Sequence, residues 1–484
     1  MKYCFLPILS CLISAVVLGK PSRPNIIFLL TDDQSSYSLG CYGNKDVKTP
    51  HIDSLATDGM AFDNHYDTTA ICMASRATVM TGLYEYRHGC NFSHGPLMES
   101  HWNKSYPMLL RKAGYRTAIA GKVGFEVQYS GEEKPRLPED DFDKWGGGPG
   151  QTSYKTKQNK SMTAYAGKYP HSSRSYGAFG RDFIQESVKS NKPYCLSISF
   201  KAPHKPDQPD PVFNHVYKGK IFRKPANYGR EYGGHFSIQS RMGRQYERFV
   251  SWGYRDRYDE VMAIYHQMVH GVDAAVGMIR QAVRKSGEAE NTVIIFTSDN
   301  GFLCGSHGYG SKVLPYEEAS RVPLIIFDPR HASSGRKLRS RSLTAGIDMA
   351  PTILALAGVG SPEGIDGQNL LSLLDDPKEQ VHQSVALMNV WGPSAVHSFA
   401  VVTHDYKYIY WPYEKGDIKA TEELYHLSGD PLELVNLAKE SGDELKEFHK
   451  TYDQAVADWK KRSVDYHGYK QYGEIFDRTI PWKQ

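Results

Sequence analysis

Four short apolar runs, each cut off by polar residues, limit what this chain can become. Asn25 to Leu30 breaks into Thr31-Asp32-Asp33, Thr117 to Ala120 into Gly121-Lys122, Tyr194 to Phe200 into Lys201-Ala202-Pro203-His204, and Thr292 to Ser298 into Asp299-Asn300-Gly301. Short runs of this kind, rich in β-branched residues, read as strands buried on both faces. Helical patterns lie between them: His51 to Asp58, Met108 to Ala113 ended by Gly114, and a long segment from Tyr258. In that segment Val261, Tyr265, Met268, Val272, Val276, Ile279 and Val283 recur at three- and four-residue steps and share one face. Strands alternating with helices predict an α/β fold, a large and mostly parallel sheet sandwiched by helices. Ligands of such sheets gather beyond the carboxyl ends of the strands. Asp32, Asp33, Lys122, His204, Asp299 and Asn300 are therefore expected on one rim, although they span most of the chain.

The 484 residues leave room for more than one unit. Residues 1–19 read as a signal peptide: Lys2 precedes an apolar run from Cys4 to Leu18, and Gly19 is a small residue at a plausible cleavage point. The run is short for a membrane span, so the expectation is a secreted or periplasmic protein with no transmembrane segment. Residues 20–370 form the expected main domain, closed by a helix-like Asp348 to Ala357 and the turn Gly364-Ile365-Asp366-Gly367. Residues 371–484 form a smaller C-terminal α+β subdomain, with a hairpin at Ser398 to Thr403 and Tyr406 to Tyr410 and a terminal helix from Glu444 to Trp459.

The net charge of +4 is mild and does not call for nucleic acid as a partner. Its distribution says more: Lys205 to Arg257 holds eleven Lys or Arg against five Asp or Glu, in a stretch rich in Gly, Pro and Tyr. Such a stretch is either a solvated insertion or a surface for a polyanion. Of the seven cysteines, Cys4 and Cys11 belong to the leader, and Cys41, Cys90, Cys195 and Cys304 show no zinc-site spacing. Buried thiols, or at most one or two disulfides, are expected of these four. Asn91, Asn103 and Asn159 open tripeptides of the N-glycosylation type.

Asp32, Asp33, Asp299 and Asn300 offer only oxygen, which favours Ca²⁺ or Mg²⁺ over zinc or copper. The remaining element is Cys72-Met73-Ala74-Ser75-Arg76, followed by Met80-Thr81-Gly82. Alone it reads equally as a buried cysteine ahead of a helix. In company it resembles the signature of the type I, formylglycine-dependent sulfatases of the alkaline phosphatase-like superfamily. The company runs in that family's order: Pro24 to Asp33, Thr49-Pro50-His51-Ile52-Asp53, Thr297 to Gly301, Gly305-Ser306-His307-Gly308, Lys312, Tyr316-Glu317-Glu318 and Arg321-Val322-Pro323. Leu424-Tyr425-His426-Leu427, Asp430-Pro431-Leu432-Glu433 and Asn436-Leu437-Ala438 resemble its C-terminal segment.

The resemblance implies a role for each matching residue. Cys72 would be oxidised to formylglycine by a maturation enzyme, formylglycine-generating or anaerobic. The hydrated aldehyde bears two hydroxyls, one to attack sulfur and one to collapse and expel sulfate. Asp32, Asp33, Asp299 and Asn300 would hold a divalent cation, usually calcium, with the Cys72-derived group facing it. Arg76 would hold the diol and the metal-site carboxylates, while Lys122, His204 and Lys312 would meet the sulfate, His204 on the leaving oxygen. His307 matches a family motif and would contact substrate or pack its loop. One departure stands out: the family commonly places a histidine two or three positions after the lysine that matches Lys122, where this chain has Gly124 and Phe125. His94 and His307 are the nearest replacements in sequence. The implied activity is hydrolysis of a sulfate ester, with a sulfated carbohydrate as substrate. The alternatives are a phosphodiesterase or phosphonate monoester hydrolase on the same fold, and a catalytically silent relative that binds sulfated glycans.

Overall fold

A computed structural model describes residues 23–190, 192–440 and 442–482, so the expected leader, with Cys4 and Cys11, lies outside the described residues. The main sheet has eight strands: β1 (Asn25–Thr31), β2 (Met60–Phe62), β3 (Arg116–Lys122), β4 (Lys144–Gly148), β5 (Tyr194–Ser199), β6 (Thr292–Ser298), β7 (Leu324–Phe327) and β8 (Leu338–Ser340). Their order across the sheet is β8-β2-β7-β6-β1-β5-β3-β4. All neighbours run parallel except at β7, which is antiparallel to both β6 and β2. The four runs singled out in the sequence are β1, β3, β5 and β6, neighbours at the centre of the sheet.

Both faces are covered, which is why these strands carry unbroken apolar runs. Ile27, Leu29, Leu196, Ile198 and Phe296 point into one core, against α1 (Pro50–Asp58), α4 (Ser172–Val188) and α6 (Tyr258–Lys285). Ile26, Phe28, Leu30, Ile119 and Ile295 point into the other, against α2 (Cys72–Thr81), α3 (Tyr106–Lys112) and α7 (Met349–Leu356). Each such side chain contributes about 1.5–3 kcal/mol by leaving water. The predicted stripe on α6 is the face that packs on the sheet, with Met268, Val272, Val276 and Ile279 fully buried. A further helix, α5 (Arg244–Ser251), lies in the cation-rich stretch.

The C-terminal part is a four-stranded antiparallel sheet in sequential order: β9 (Val385–Asn389), β10 (Ser398–Val402), β11 (Tyr406–Trp411) and β12 (Thr421–His426). The expected hairpin is β10 and β11. One face of this sheet, through Val385, Leu387, Ala400, Ile409 and Trp411, packs on Tyr316, Leu343 and Ile347 of the main body. The other, through Phe399, Val401 and Tyr408, packs on α8 (Gly442–Arg462) and α9 (Tyr469–Ile475). Cys41, Cys72, Cys90, Cys195 and Cys304 are all free thiols, so no disulfide exists among the described residues. Asn91 is buried and donates to Glu85 Oε1 at 2.7 Å, which closes that glycosylation tripeptide in the folded chain.

The start of α1 is held from another helix. Pro50 occupies its first turn, and the Thr49 side chain makes no cap hydrogen bond. Instead Asp273 of α6 accepts from the backbone N–H of His51 at 2.9 Å and of Ile52 at 2.8 Å. Asp273→Ala leaves both donors without that partner and should cost about 1–2 kcal/mol, as loss of a helix cap does. Asp273→Asn, which keeps an acceptor, should cost less; equal thermal unfolding midpoints for parent and Asp273→Ala would contradict this.

Candidate active site

The strand register brings distant polar residues together. Thr31 pairs with Ser298 across β1 and β6, so the chain leaves both strands side by side into Asp32-Asp33 and Asp299-Asn300. Asp299 N–H donates to the Thr31 carbonyl at 3.0 Å, and Asp32 N–H to the Ala202 carbonyl at 3.2 Å. Gly121 pairs with Ser199, which puts Lys122 beside the exit of β5 towards His204.

Cys72 is the first residue of α2, whose start has no side-chain cap and whose first internal bond runs from Ser75 N–H to Ile71 O at 2.8 Å. The N–H groups of Cys72, Met73 and Ala74 therefore have no helical partners. The helix ends at Gly82, at φ 70°. Within the helix, Ser75 Oγ donates to the Asp299 carbonyl, and Arg76, one turn after Cys72, is completely buried. Its Nε donates to Asp299 Oδ2 at 2.8 Å, Nη1 to the Lys122 carbonyl at 2.7 Å and to Ser199 Oγ, and Nη2 to the Phe200 carbonyl at 3.4 Å. Its Nη2 also lies 3.7 Å from Asp32 Oδ2.

Around Cys72 the charges alternate. The thiol lies 3.3 Å from Asp32 Oδ1, and Lys312 Nζ lies 2.6 Å from Cys72 Sγ. The same ammonium donates to Asp33 Oδ1 and, at 3.1 Å, to Asn300 Oδ1, and stands 3.8 Å from Asp32 Oδ1. Lys122 Nζ donates to Asp32 Oδ2 at 2.5 Å, and Asn300 Nδ2 to Asp33 Oδ1 at 2.8 Å. Asp32, Asp33, Cys72 and His204 each direct one potential ligand atom to a spot where all four lie within 4.8 Å of one another. Burial would raise the Asp32 carboxyl, but Lys122 foremost, then His204, Arg76 and Lys312, hold it well below the usual carboxylate range. Burial, then the charge of Asp32, pushes Asp299 up to about 6 and the Cys72 thiol up to about 12.

Of these groups Asp33, Cys72, His204 and Lys312 form the floor of a cavity of about 680 Å³, whose lining also includes Gln151, Arg244, Arg248, Trp252 and Trp391. His204 stands with Nε2 3.8 Å from Asp33 Oδ2, while its Nδ1 meets the Lys205 carbonyl. A carbonyl only accepts, so Nδ1 carries a hydrogen and Nε2 is the nitrogen presented to the site. Burial lowers the pKa of this ring against the pull of Asp33 and Asp32.

Two histidines singled out in the sequence lie elsewhere. His307 is fully buried: Nε2 accepts from Asn227 Nδ2 at 2.9 Å, Nδ1 faces the Tyr232 carbonyl at 2.9 Å, and the ring packs 4.6 Å from that of Phe236. It packs its loop, and it is not among the cavity's lining residues. His94 faces the His467 and Val390 carbonyls, at 3.0 and 3.1 Å, from its two ring nitrogens. Among the described residues His204 is the one histidine lining the cavity. Gly124 has a local reason to be glycine: it sits at φ 91°, and a Cβ there would fall 2.5 Å from Arg76 Cδ. Phe125 is buried in the core beside Trp102. A side chain at position 124 would have to displace Arg76, and Phe125 fills space in the core.

Sequence reasoning missed Arg244, Arg248 and Trp252, although their four-residue spacing places them on one helical face. It also missed Trp391, an isolated aromatic between β9 and β10 with no pattern around it.

The chain is 27% identical to an N-acetylglucosamine-6-O-sulfatase of Bacteroides thetaiotaomicron, over 92% of this chain and 88% of that one. A solved structure in complex with its substrate D-glucosamine-2-N,6-O-disulfate superposes with a TM-score of 0.74 at 26% identity, covering 92% of this chain and all of that one. A phosphonate monoester hydrolase of Agrobacterium radiobacter superposes equally, TM-score 0.74, but at 20% identity, over 91% of this chain and 96% of that one, a likeness of fold alone. A model of the N-sulphoglucosamine sulphohydrolase C-terminal region matches residues 305–462. The sulfatase model itself matches residues 24–359, well over half of the chain and every group gathered around Cys72, and the chain belongs to the sulfatase family of sulfuric ester hydrolases.

Proposed function

We propose that the protein removes sulfate from a sulfated carbohydrate, with a formylglycine derived from Cys72 as nucleophile and a divalent cation, Ca²⁺ or Mg²⁺, held by Asp32, Asp33, Asp299 and Asn300. The observation that carries this reading is the convergence on Cys72, at the floor of the cavity, of Lys312 at 2.6 Å and Asp32 at 3.3 Å. The donor set suits a hard cation, being oxygen from three carboxylates and one amide. Lys312 Nζ, close to Asp33, Asn300 and Asp32, already places a positive group at its focus. Asp32, Asp33 and Asp299 against Arg76, Lys122 and Lys312 cancel in charge; a divalent cation would leave a positive surplus for an anionic ester. Bound there, the cation would polarise the sulfate oxygens and lower the pKa of the attacking hydroxyl.

The chain's own residues do the rest. Arg76 fixes the Asp299 carboxylate and the ends of β3 and β5. Lys122 and Lys312 supply fixed positive charge to the sulfate, and the unpartnered N–H groups at the start of α2 favour an anion there. His204 would give a proton from Nε2 to the leaving oxygen only as the imidazolium, with Nδ1 held by the Lys205 carbonyl; burial lowers the ring's pKa, and Asp33 and Asp32 favour the charge against it. Cys72 is only 2% exposed, so the maturation enzyme, formylglycine-generating or anaerobic, would have to act before the chain closes over it. The relatives' sulfated-sugar substrates and the polar, aromatic cavity support a carbohydrate. The apolar run before Gly19 supports export to the periplasm or medium, and among the described residues no helix is long and apolar enough to cross a membrane.

Release of inorganic sulfate from sulfated saccharides, compared with hydrolysis of phosphate and phosphonate esters sharing one leaving group, tests the reading. Sulfate esters should be preferred, and Cys72→Ala should lower turnover on the order of a thousandfold or more. A reversed preference would favour the phosphonate hydrolase alternative, and tight binding without sulfate release the silent one. Chelation should abolish activity, with Ca²⁺ or Mg²⁺ restoring it better than Zn²⁺; full activity of metal-stripped protein would contradict the assigned ligands.

His204→Ala should slow esters of sugar alcohols far more than aryl sulfates, whose leaving groups need less protonation. Equal losses on both substrate types would leave His204 as a binding residue only.

A further inference from the structure

The cation-rich stretch does not act as one surface. Of its eleven Lys and Arg residues, four line the cavity: Lys205, Arg244, Arg248 and Arg257. Two of the four are matched, Lys205 by Asp207 and Arg257 by Glu260 at 3.7 Å. Arg244 and Arg248 have no carboxylate within ion-pair distance among the described residues. Their guanidiniums rest on aromatic rings instead, Arg244 4.9 Å from the centre of Trp391 and Arg248 4.2 Å from that of Trp252.

Both arginines stand on α5, four residues apart and so on one face, where like charges repel and destabilise the helix. Burial, then the charge of Arg244, holds Arg248 below its ordinary pKa, as suits a cation short of counter-charge. Both are also tied to the reacting groups. Arg248 Nη1 donates to Ser311 Oγ at 2.8 Å, next to Lys312, and Trp391 packs with Ile71 and Val313, the neighbours of Cys72 and Lys312. Two ordered guanidiniums facing one concavity without a protein counter-ion suit an anion supplied by a ligand, and the planar fork of each matches a sulfate or a carboxylate.

We propose that Arg244 and Arg248 form a second anion subsite, which reads a further sulfate or carboxylate on the saccharide whose scissile sulfate lies at Cys72. The substrate class is then a multiply anionic glycan, in preference to a sugar bearing one sulfate. This rests on the sulfatase reading for the position of the scissile group, but the subsite is measurable without turnover.

The experiment is calorimetric binding to full-length Cys72→Ala protein. The probes are glucosamine and galactosamine bearing one or two sulfates, and monosulfated disaccharides with and without a uronate. At least one doubly anionic probe should bind on the order of tenfold more tightly than its singly anionic partner. The sulfate and uronate arms identify which second anion is read. The preference should collapse in Arg244→Gln/Arg248→Gln protein and be kept only in part in Arg244→Lys/Arg248→Lys protein, which retains the charge but loses the planar fork and the stacking on Trp391 and Trp252, with circular dichroism and thermal midpoints matching the parent. A preference that survives the double glutamine change, or the absence of any preference for a second anion, would overturn the proposal. A preference for the second anion in the Cys72→Ala protein, together with no sulfate release by metal-loaded parent protein carrying Cys72, would instead count against the hydrolase reading and leave the subsite standing.

Discussion

A fully buried arginine is expensive unless every face of its guanidinium is met, and Arg76 is met on all sides. Its partners are the Asp299 carboxylate, the Lys122 and Phe200 carbonyls and Ser199, which come from the ends of β6, β3 and β5. One side chain on α2 thus ties together strand ends that the register has only brought near. Because Cys72 lies one turn earlier on the same helix, the tie also sets where Cys72 stands relative to Asp32 and Lys312. The glycine at 124 belongs to this tie, since its missing Cβ is the room in which Arg76 runs. The departure from the family pattern at that position is therefore a packing consequence as much as a chemical one.

Charge balance organises the rest. Three carboxylates and three cations, all buried and only Asp33 and Lys312 of them reaching the cavity, cancel at and beneath its floor. Cancellation makes the cluster tolerable when buried and sensitive to any added charge, because screening is weak there. Higher in the same cavity the rule is relaxed, and Arg244 and Arg248 stand without counter-ions on Trp391 and Trp252. A balanced floor and an unbalanced wall divide the work between reacting with one anionic group and recognising another.

What the sequence disclosed follows from the same physics. The runs at Asn25, Thr117, Tyr194 and Thr292 were legible because strands buried on both faces must be apolar throughout, and their polar exits were legible because the chain changes character where the sheet ends. Lys144–Gly148 was not legible, being a strand with three glycines whose extended form comes from pairing with β3. Nor was the reversal at Leu324–Phe327, since direction is set by partners and leaves no mark on a short apolar run. In the site, Asp32, Asp33, Lys122, His204, Asp299 and Asn300 share the expected rim. His307 carries the right motif yet lies beneath the surface, because a motif records spacing and not depth. Arg244 and Arg248 were hidden among nine other cations, most of them paired or turned away, and only the fold separates them.

The proposed site is built around an aldehyde made from Cys72, which peptide mass spectrometry of catalytically active protein can detect. The peptide ending at Arg76 should carry formylglycine at position 72, in a fraction that tracks specific activity across preparations. Active protein in which that peptide carries only the unmodified thiol would contradict it.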